Sequence, residues 1–324
     1  MLFRSSGRVA DRAALDELCR RFGVAAPDPG VSQFMGNFGA FRLIWERHAE
    51  FCSWTFLVAG DSGDPFAEPA LAQIPRDWLE SLPGERLVGI HVALLPRDRP
   101  SPTLDELGRY FAADSTTASR VSGGAAVAWT DFREHGDGFG RRLIHDISLT
   151  PRQAGRLVQR LLEIGTYQLL ALLTLPVARE AAAALSDADR ELEAIIAEMQ
   201  RLDHDASERR LLERLIALAV KVERLTAGAD FRFGAARAYY ALVERRIAEM
   251  REQRLEGFQT FAEFVDRRLA PAMRTCESTA ARMNRIAERV ERAGALLRTR
   301  VDIGLEAQNQ ALLTSMDKRA QIQL

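Results

Sequence analysis

Pro271-Ala272-Met273-Arg274-Thr275-Cys276 opens the stretch that decides the fold, because from Pro271 to Leu324 no Gly-Pro punctuation is strong enough to stop a helix. Proline suits the first turn of a helix, where its missing N–H is not needed. At roughly 1.5 Å per residue such a helix runs for about 80 Å, too long to fold back on a single compact domain. Met273, Cys276, Ala280, Met283, Ala287, Val290, Gly294, Leu297 and Val301 recur in three-four steps. A second register, Met283, Gly294, Leu305 and Met316, is spaced by eleven, which keeps the seam nearly straight. The seam asks for a partner helix. The expectation is a stalk-like helix over 271–324 and a homo-oligomer joined through Met283, Val290, Leu297 and Val301.

Upstream, residues 150–270 read as helical. Thr150-Pro151 is an N-cap residue followed by proline at the first helical position. Leu157, Leu161, Ile164 and Leu169 mark an apolar face, and Pro176 is expected to kink or end that helix. Helices are predicted from Ser186 to about Leu202, from Ser207 to Leu225 with a stop near Gly228, and from Phe231 to about Leu269. The most apolar window, Leu161 to Ala178, holds Glu163, Gln168 and Pro176, so it reads as a buried helix rather than a bilayer span.

Residues 1–149 read differently. A helix over Ala13 to Phe22 is followed by two aromatic and β-branched runs, 38–48 and 50–58, close enough for a hairpin. Leu87 to Leu95, Ala125 to Phe132 and Arg141 to Ser148 are further strands, with short helices around Arg76–Ser81 and Leu104–Phe111. Turns too short for crossover helices make the early sheet antiparallel or mixed. The fold class is α+β, organised as an α/β domain over 1–149, a helical region over 150–270 and the stalk over 271–324.

Composition narrows the function classes. The 324 residues carry 44 Lys+Arg against 45 Asp+Glu, a formal net charge of -1, so no global field recruits nucleic acid or anionic lipid. Cys19, Cys52 and Cys276 are odd in number and lack ligand spacing, which points to a reducing compartment with neither a disulfide framework nor a zinc site. Met1-Leu2-Phe3-Arg4 opens no signal peptide. Phosphate-binding, zincin and nucleophile-elbow motifs are missing from the sequence, and no cofactor is implied.

Two polar clusters are the candidate sites. Asp131, Arg133, His135 and Asp137 offer two carboxylates and an imidazole for a divalent cation or acid–base work; the competing reading is a strand end followed by a Gly-rich turn that caps its own backbone. Glu46, Arg47 and His48 form the second, with alternation placing Glu46 and His48 on one face of a strand and Trp45 and Arg47 on the other. Arg282, Arg285, Arg289 and Arg292 alternate with Glu277, Glu288 and Glu291, a solvated face or ion-pair rim rather than a nucleic-acid groove. The helix reaches Leu324 still in register without a cap, as though cut inside a helix.

Several blocks carry a family resemblance: Trp45-Glu46-Arg47-His48 with Glu50-Phe51, Trp129-Thr130-Asp131-Phe132-Arg133 with Asp137-Gly138-Phe139, Leu175-Pro176-Val177-Ala178-Arg179, Ala238-Tyr239-Tyr240 and Arg267-Arg268-Leu269-Ala270-Pro271. In these the chain resembles an uncharacterised bacterial membrane-anchored family, a domain of unknown function. The resemblance implies two hydrophobic spans beyond Leu324 and a short segment before Met1, with this chain as the soluble part. Lys318 and Arg319 ahead of those spans would set it on the cytoplasmic side of the inner membrane. The architecture is also similar to CorA-type divalent-cation channels, which would add a divalent cation to the expected partners. The competing expectation is a non-catalytic helical scaffold or protein-interaction module.

Overall fold

The computed structural model describes residues 1–5, 7–48, 50–60, 63–201 and 205–322. It is α+β and divides into two compact units, Met1–Leu170 with Tyr239–Leu269, and Ala171–Ala238 with Ala270–Leu324.

The first unit holds two sheets. β1 (Leu2–Arg4), β2 (Gln33–Asn37), β3 (Arg42–Arg47), β4 (Phe51–Leu57) and β5 (Arg86–Val88) form an antiparallel sheet of order β2-β3-β4-β1-β5. Trp45 faces Trp54 across the β3–β4 hairpin, and both are buried with Leu43 and Trp78 against α1 (Arg8–Arg21) and α2 (Arg76–Glu80). The Trp78 indole donates to the Ala14 carbonyl at 3.0 Å, so this large ring carries its polar edge into the core satisfied.

β6 (Ile90–Leu95), β7 (Thr117–Val121), β8 (Ala126–Thr130), β9 (Gly140–Asp146) and β10 (Gln253–Arg254) form the second sheet, of order β10-β7-β8-β9-β6. Only the β6–β9 pairing is parallel. Leu87 to Leu95, expected as one strand, is divided at Gly89 between the two sheets. A Cβ on Gly89 would sit 2.5 Å from the Phe139 ring, which explains the glycine there. α3 (Leu104–Tyr110) starts on a capping box of Thr103 and Glu106, and its Leu107 and Tyr110 join Trp129 and Leu143 in the core beneath this sheet.

α4 (Pro151–Leu172) begins as expected, with Thr150 and Gln153 exchanging hydrogen bonds at its N-terminus. Its sequel α5 (Thr174–Met199) carries Pro176 in its first turn, so the break falls just before the proline. By length and composition alone the stretch Pro151–Met199 holds one window apolar enough to cross a membrane, and a third of that window is buried.

Several helix boundaries differ from expectation: Ser186 starts no helix but lies inside α5, the end expected near Leu202 lies outside the described residues, and the helix expected from Phe231 to about Leu269 is interrupted after Met250. α6 runs unbroken from Asp205 to Met250, through Gly228, because Leu218, Val222, Ala229 and Phe233 keep one apolar stripe buried on both sides of the glycine. α7 (Phe261–Ile322) starts ten residues before Pro271. Its start is fixed by a Thr260–Glu263 capping box and by Glu252, which accepts from the Phe261 and Ala262 N–H groups at 3.0 and 2.9 Å.

The second unit is three-helical. One cluster holds Leu185, Leu192 and Ile195 of α5, Leu211, Leu215 and Val222 of α6, and Met283, Val290 and Leu297 of α7. This corrects the expected oligomer seam: Met283, Val290 and Leu297 are 2%, 4% and 0% exposed, with α5 and α6 of the same chain as their partners. Val301, the last expected seam residue, is half-buried. Charged groups edge the cluster, Asp189 taking Arg282 at 3.2 Å and also Arg289, and Glu208 taking Arg300 at 2.6 Å.

Candidate functional site

The β8–β9 connection places the first polar cluster. β8 delivers Asp131 into the interior, 1% exposed, and the next residue, Phe132, adopts φ 53°. A non-glycine residue in that region is uncommon. Here the turn lays the Phe132 ring on Phe264, 4.4 Å between centroids, and under the Arg142 guanidinium at 4.6 Å. Asp131 accepts from the Ala112 N–H and the Arg133 N–H, both at 3.1 Å, and from the His135 ring at 3.2 Å. Its carboxylate therefore ties the end of α3 to the loop. Arg133 turns outward to Asp114 at 2.8 Å and does not join Asp131 and His135.

Asp137 looks elsewhere again. One oxygen accepts from the Phe139 N–H at 3.0 Å, and the other lies 3.4 Å from His91 Nε2 on β6. The His91 imidazole stacks on Phe139 at 4.3 Å. The cluster expected from sequence thus resolves into separate pairs, Asp131–His135, Arg133–Asp114 and Asp137–His91. Among the described residues no group of three or more His, Cys, Asp or Glu side chains is gathered to hold a metal ion.

Arg142, on β9, was not expected from the sequence. It is 4% exposed, donates to the Arg141 carbonyl at 2.8 Å and to the Thr130 hydroxyl, and has no carboxylate within ion-pair distance among the described residues. Burial pulls its pKa down to about 10, with the Asp131 charge opposing, so it stays cationic at neutral pH.

Burial also pulls His91 below its ordinary pKa, against the attraction of Asp137. The folded state then binds fewer protons than the unfolded state. The His91 contribution is complete above the ordinary imidazole pKa of about 6.5 and is lost as pH falls below it. Urea unfolding between about pH 7.5 and about pH 5 is expected to show falling stability, and His91→Gln is expected to flatten that fall. An unchanged slope in the variant would contradict this assignment.

The second expected cluster also divides. β3 ends at Arg47, so His48 lies outside the strand and stacks on Phe51 at 4.3 Å instead of sharing a face with Glu46. Arg47 lies over Trp45 at 5.7 Å, and Glu46 accepts from Ser53 at 3.4 Å. Nearby, Glu50 accepts from the Tyr239 hydroxyl at 3.0 Å and Tyr239 stacks on Tyr167. Burial, then the Glu163 charge, raises the Tyr167 pKa. Arg246 binds Glu163 and also Glu249 at 3.0 Å. These contacts fasten the hairpin to α4 and α6 within the first unit.

An open concave surface lies in the second unit. A groove of about 680 Å³ runs between α6 and α7, floored by Leu212, Leu215, Ala219, Ala287, Val290 and Gly294. Glu223, Glu288, Glu291 and Arg298 rim it. Ile216 on its wall is 55% exposed, and Val220 on α6 is 47% exposed. The three-four series of α7 in the sequence held part of this signal, because its members Ala287 and Gly294 lie on the groove floor, with Glu291 and Arg298 beside them.

These features define an α+β protein with two sheets in one unit, a helical bundle in the other, polar loop residues engaged in local pairs, and an apolar groove between two helices. The chain belongs to the family described as Protein of unknown function (DUF3422), whose model matches residues 1–324. No curated protein and no solved structure matches it.

Proposed function

We propose that this chain is a non-catalytic, self-associating helical scaffold, the soluble part of a protein anchored at the cytoplasmic face of the bacterial inner membrane. The observation that carries the scaffold reading is on α7. Arg300 bonds the Met199 carbonyl at 2.8 Å and Glu208 at 2.6 Å, and α7 continues past the level of both residues. Beyond it Leu312, Leu313 and Met316, 58%, 63% and 66% exposed, fall within about 100° of one another round the helix. Apolar side chains concentrated this way mark an interaction surface. Placement at the membrane is supported by the family resemblance and by Lys318 and Arg319 near the end of α7.

Light scattering over a concentration series, with and without millimolar magnesium, tests this. A reversible, magnesium-indifferent rise in mass is the expected result. A monomer at every concentration would refute self-association, and a magnesium-dependent pentamer would favour a CorA-like assembly instead.

A further inference from the structure

We infer that β2 is the edge at which a second copy adds its own β2, antiparallel across a two-fold axis at Met35, joining two five-stranded sheets into one. This rests on the self-association reading in requiring a second copy, and goes beyond it by adding a contact surface on the first unit. β2 ends the order β2-β3-β4-β1-β5 and pairs with β3 alone. Its bonding parity is fixed at both ends of that pair. The Arg47 N–H donates to the Ser32 carbonyl and the Phe38 N–H to the Phe41 carbonyl, each at 2.8 Å. In the register running from Gln33↔Glu46 to Asn37↔Arg42, it is therefore Phe34 and Gly36 that exchange bonds with β3. The N–H and C=O groups of Gln33, Met35 and Asn37 point away from the sheet, and among the described residues they have no partner.

The sequence leaves this edge unguarded. Sheet edges are ordinarily blunted by charge, by proline or by shortness. At the other end of this sheet β5 has three residues including Arg86; in the second sheet β10 has two, and β6 runs into Pro96-Arg97-Asp98-Arg99. β2 has five residues, and residues 29–41 include no Asp, Glu, Lys, Arg or His. Met35, at its centre, is 68% exposed.

A second copy of the same strand fits what is left open. With Met35 opposite Met35 of the second copy, Gln33 falls opposite Asn37 and Phe34 opposite Gly36. The three outward N–H groups of each copy then meet the three outward carbonyls of the other. The amide side chains of Gln33 and Asn37 sit side by side, and the two exposed methionines cover each other at the axis. A shift of two residues in either direction leaves Gln33 or Asn37 of each copy unbonded, so this register is the one that satisfies the whole edge. An uncharged segment paired with itself brings no like charges together, and the contact is isologous, so it closes on two copies. It is smaller than a standard interface, and pairing is accordingly weak and follows concentration.

The test is residue-resolved amide exchange of the whole chain over a concentration series, beside light scattering. The Phe34 and Gly36 N–H groups are expected to be protected throughout. Those of Gln33, Met35 and Asn37 are expected to exchange fast in dilute solution and to gain protection as the mass rises, an every-second-residue pattern that contact through α7 does not produce. Met35→Lys sets two ammonium groups together at the axis and is expected to weaken pairing at least about tenfold, read from protection at Gln33 and Asn37. Its urea midpoint is expected to stay unchanged, since the side chain is exposed. Met35→Pro deletes an N–H that β3 does not use and is expected to abolish that gain in protection. A wild-type chain that is monomeric at every concentration would sink this pairing and the self-association reading together. A rising mass with Gln33, Met35 and Asn37 still exchanging fast, or a Met35→Lys chain in which Gln33 and Asn37 gain protection as in the wild type, would overturn this interface and leave association through α7 standing.

Discussion

Asp131→Ala is expected to destabilise the first unit by about 3–5 kcal/mol, the range for removing one partner from a buried charged network. The reason is the number of groups that lose an acceptor. The Ala112 and Arg133 N–H groups and the His135 ring all converge on this carboxylate, which is 1% exposed. A fully buried donor left unpaired costs about 1–3 kcal/mol, and these three, being part-buried, each fall toward the low end. Arg142, cationic and buried, also loses the nearby negative charge that favours its protonated form. Arg133→Ala is the matched control, because its pair with Asp114 is largely exposed and exposed pairs contribute about 0–1 kcal/mol. Urea unfolding of the two variants measures the contrast. Equal, small effects would show that Asp131 does not hold the loop.

Leu297→Asp is expected to unfold the helical unit, or to destabilise it by at least about 3–5 kcal/mol, because the new carboxylate has no partner in the cluster. Leu297 is 0% exposed and shares its core with α5 and α6. Leu297→Ala removes the side chain without adding charge and is expected to cost about 2–5 kcal/mol. Far-UV circular dichroism through a urea titration follows both. If the seam instead joined separate copies, Leu297→Asp would lower the mass and leave helix content and stability of the chain intact.

The sequence makes the α+β class legible because its two halves differ in hydrophobic period. The alternation through Leu43, Trp45, Trp54 and Phe56 marks the hairpin, and Thr150-Pro151 marks the start of α4. Where strands were missed, local chemistry misled. Thr117 to Val121 looks like a Ser/Thr-rich loop, yet it is a strand because β8 and β10 supply its hydrogen bonds. Pro271 reads as a helix start, but the Thr260–Glu263 box and Glu252 fix the start earlier and α7 accommodates the proline inside. The second strand of a broken pair is also hard to foresee: Gly89 divides one apolar run between two sheets for the sake of the Phe139 ring.

The candidate sites show the same limit more strongly. Asp131 and His135, four apart, do meet, whereas Asp137 is drawn to His91 on a strand more than forty residues away in sequence. Periodicity identified the α7 seam without identifying its partner. Three-four spacing specifies that a helix face is buried, and only the positions of α5 and α6 decide that the burial is within one chain. The series included Ala287 and Gly294 but not the groove they floor, because Glu288, Glu291 and Arg298 around them read as a solvated face.

Amide hydrogen exchange along α7, followed as a function of protein concentration, tests the central claim most directly. Residues 272–297 are expected to be protected at every concentration, because their partners are α5 and α6 of the same chain. Residues 301–316 are expected to exchange fast at high dilution and to gain protection as copies associate. Loss of protection in both segments together on dilution, or a distal segment that never gains protection while mass rises, would contradict the account.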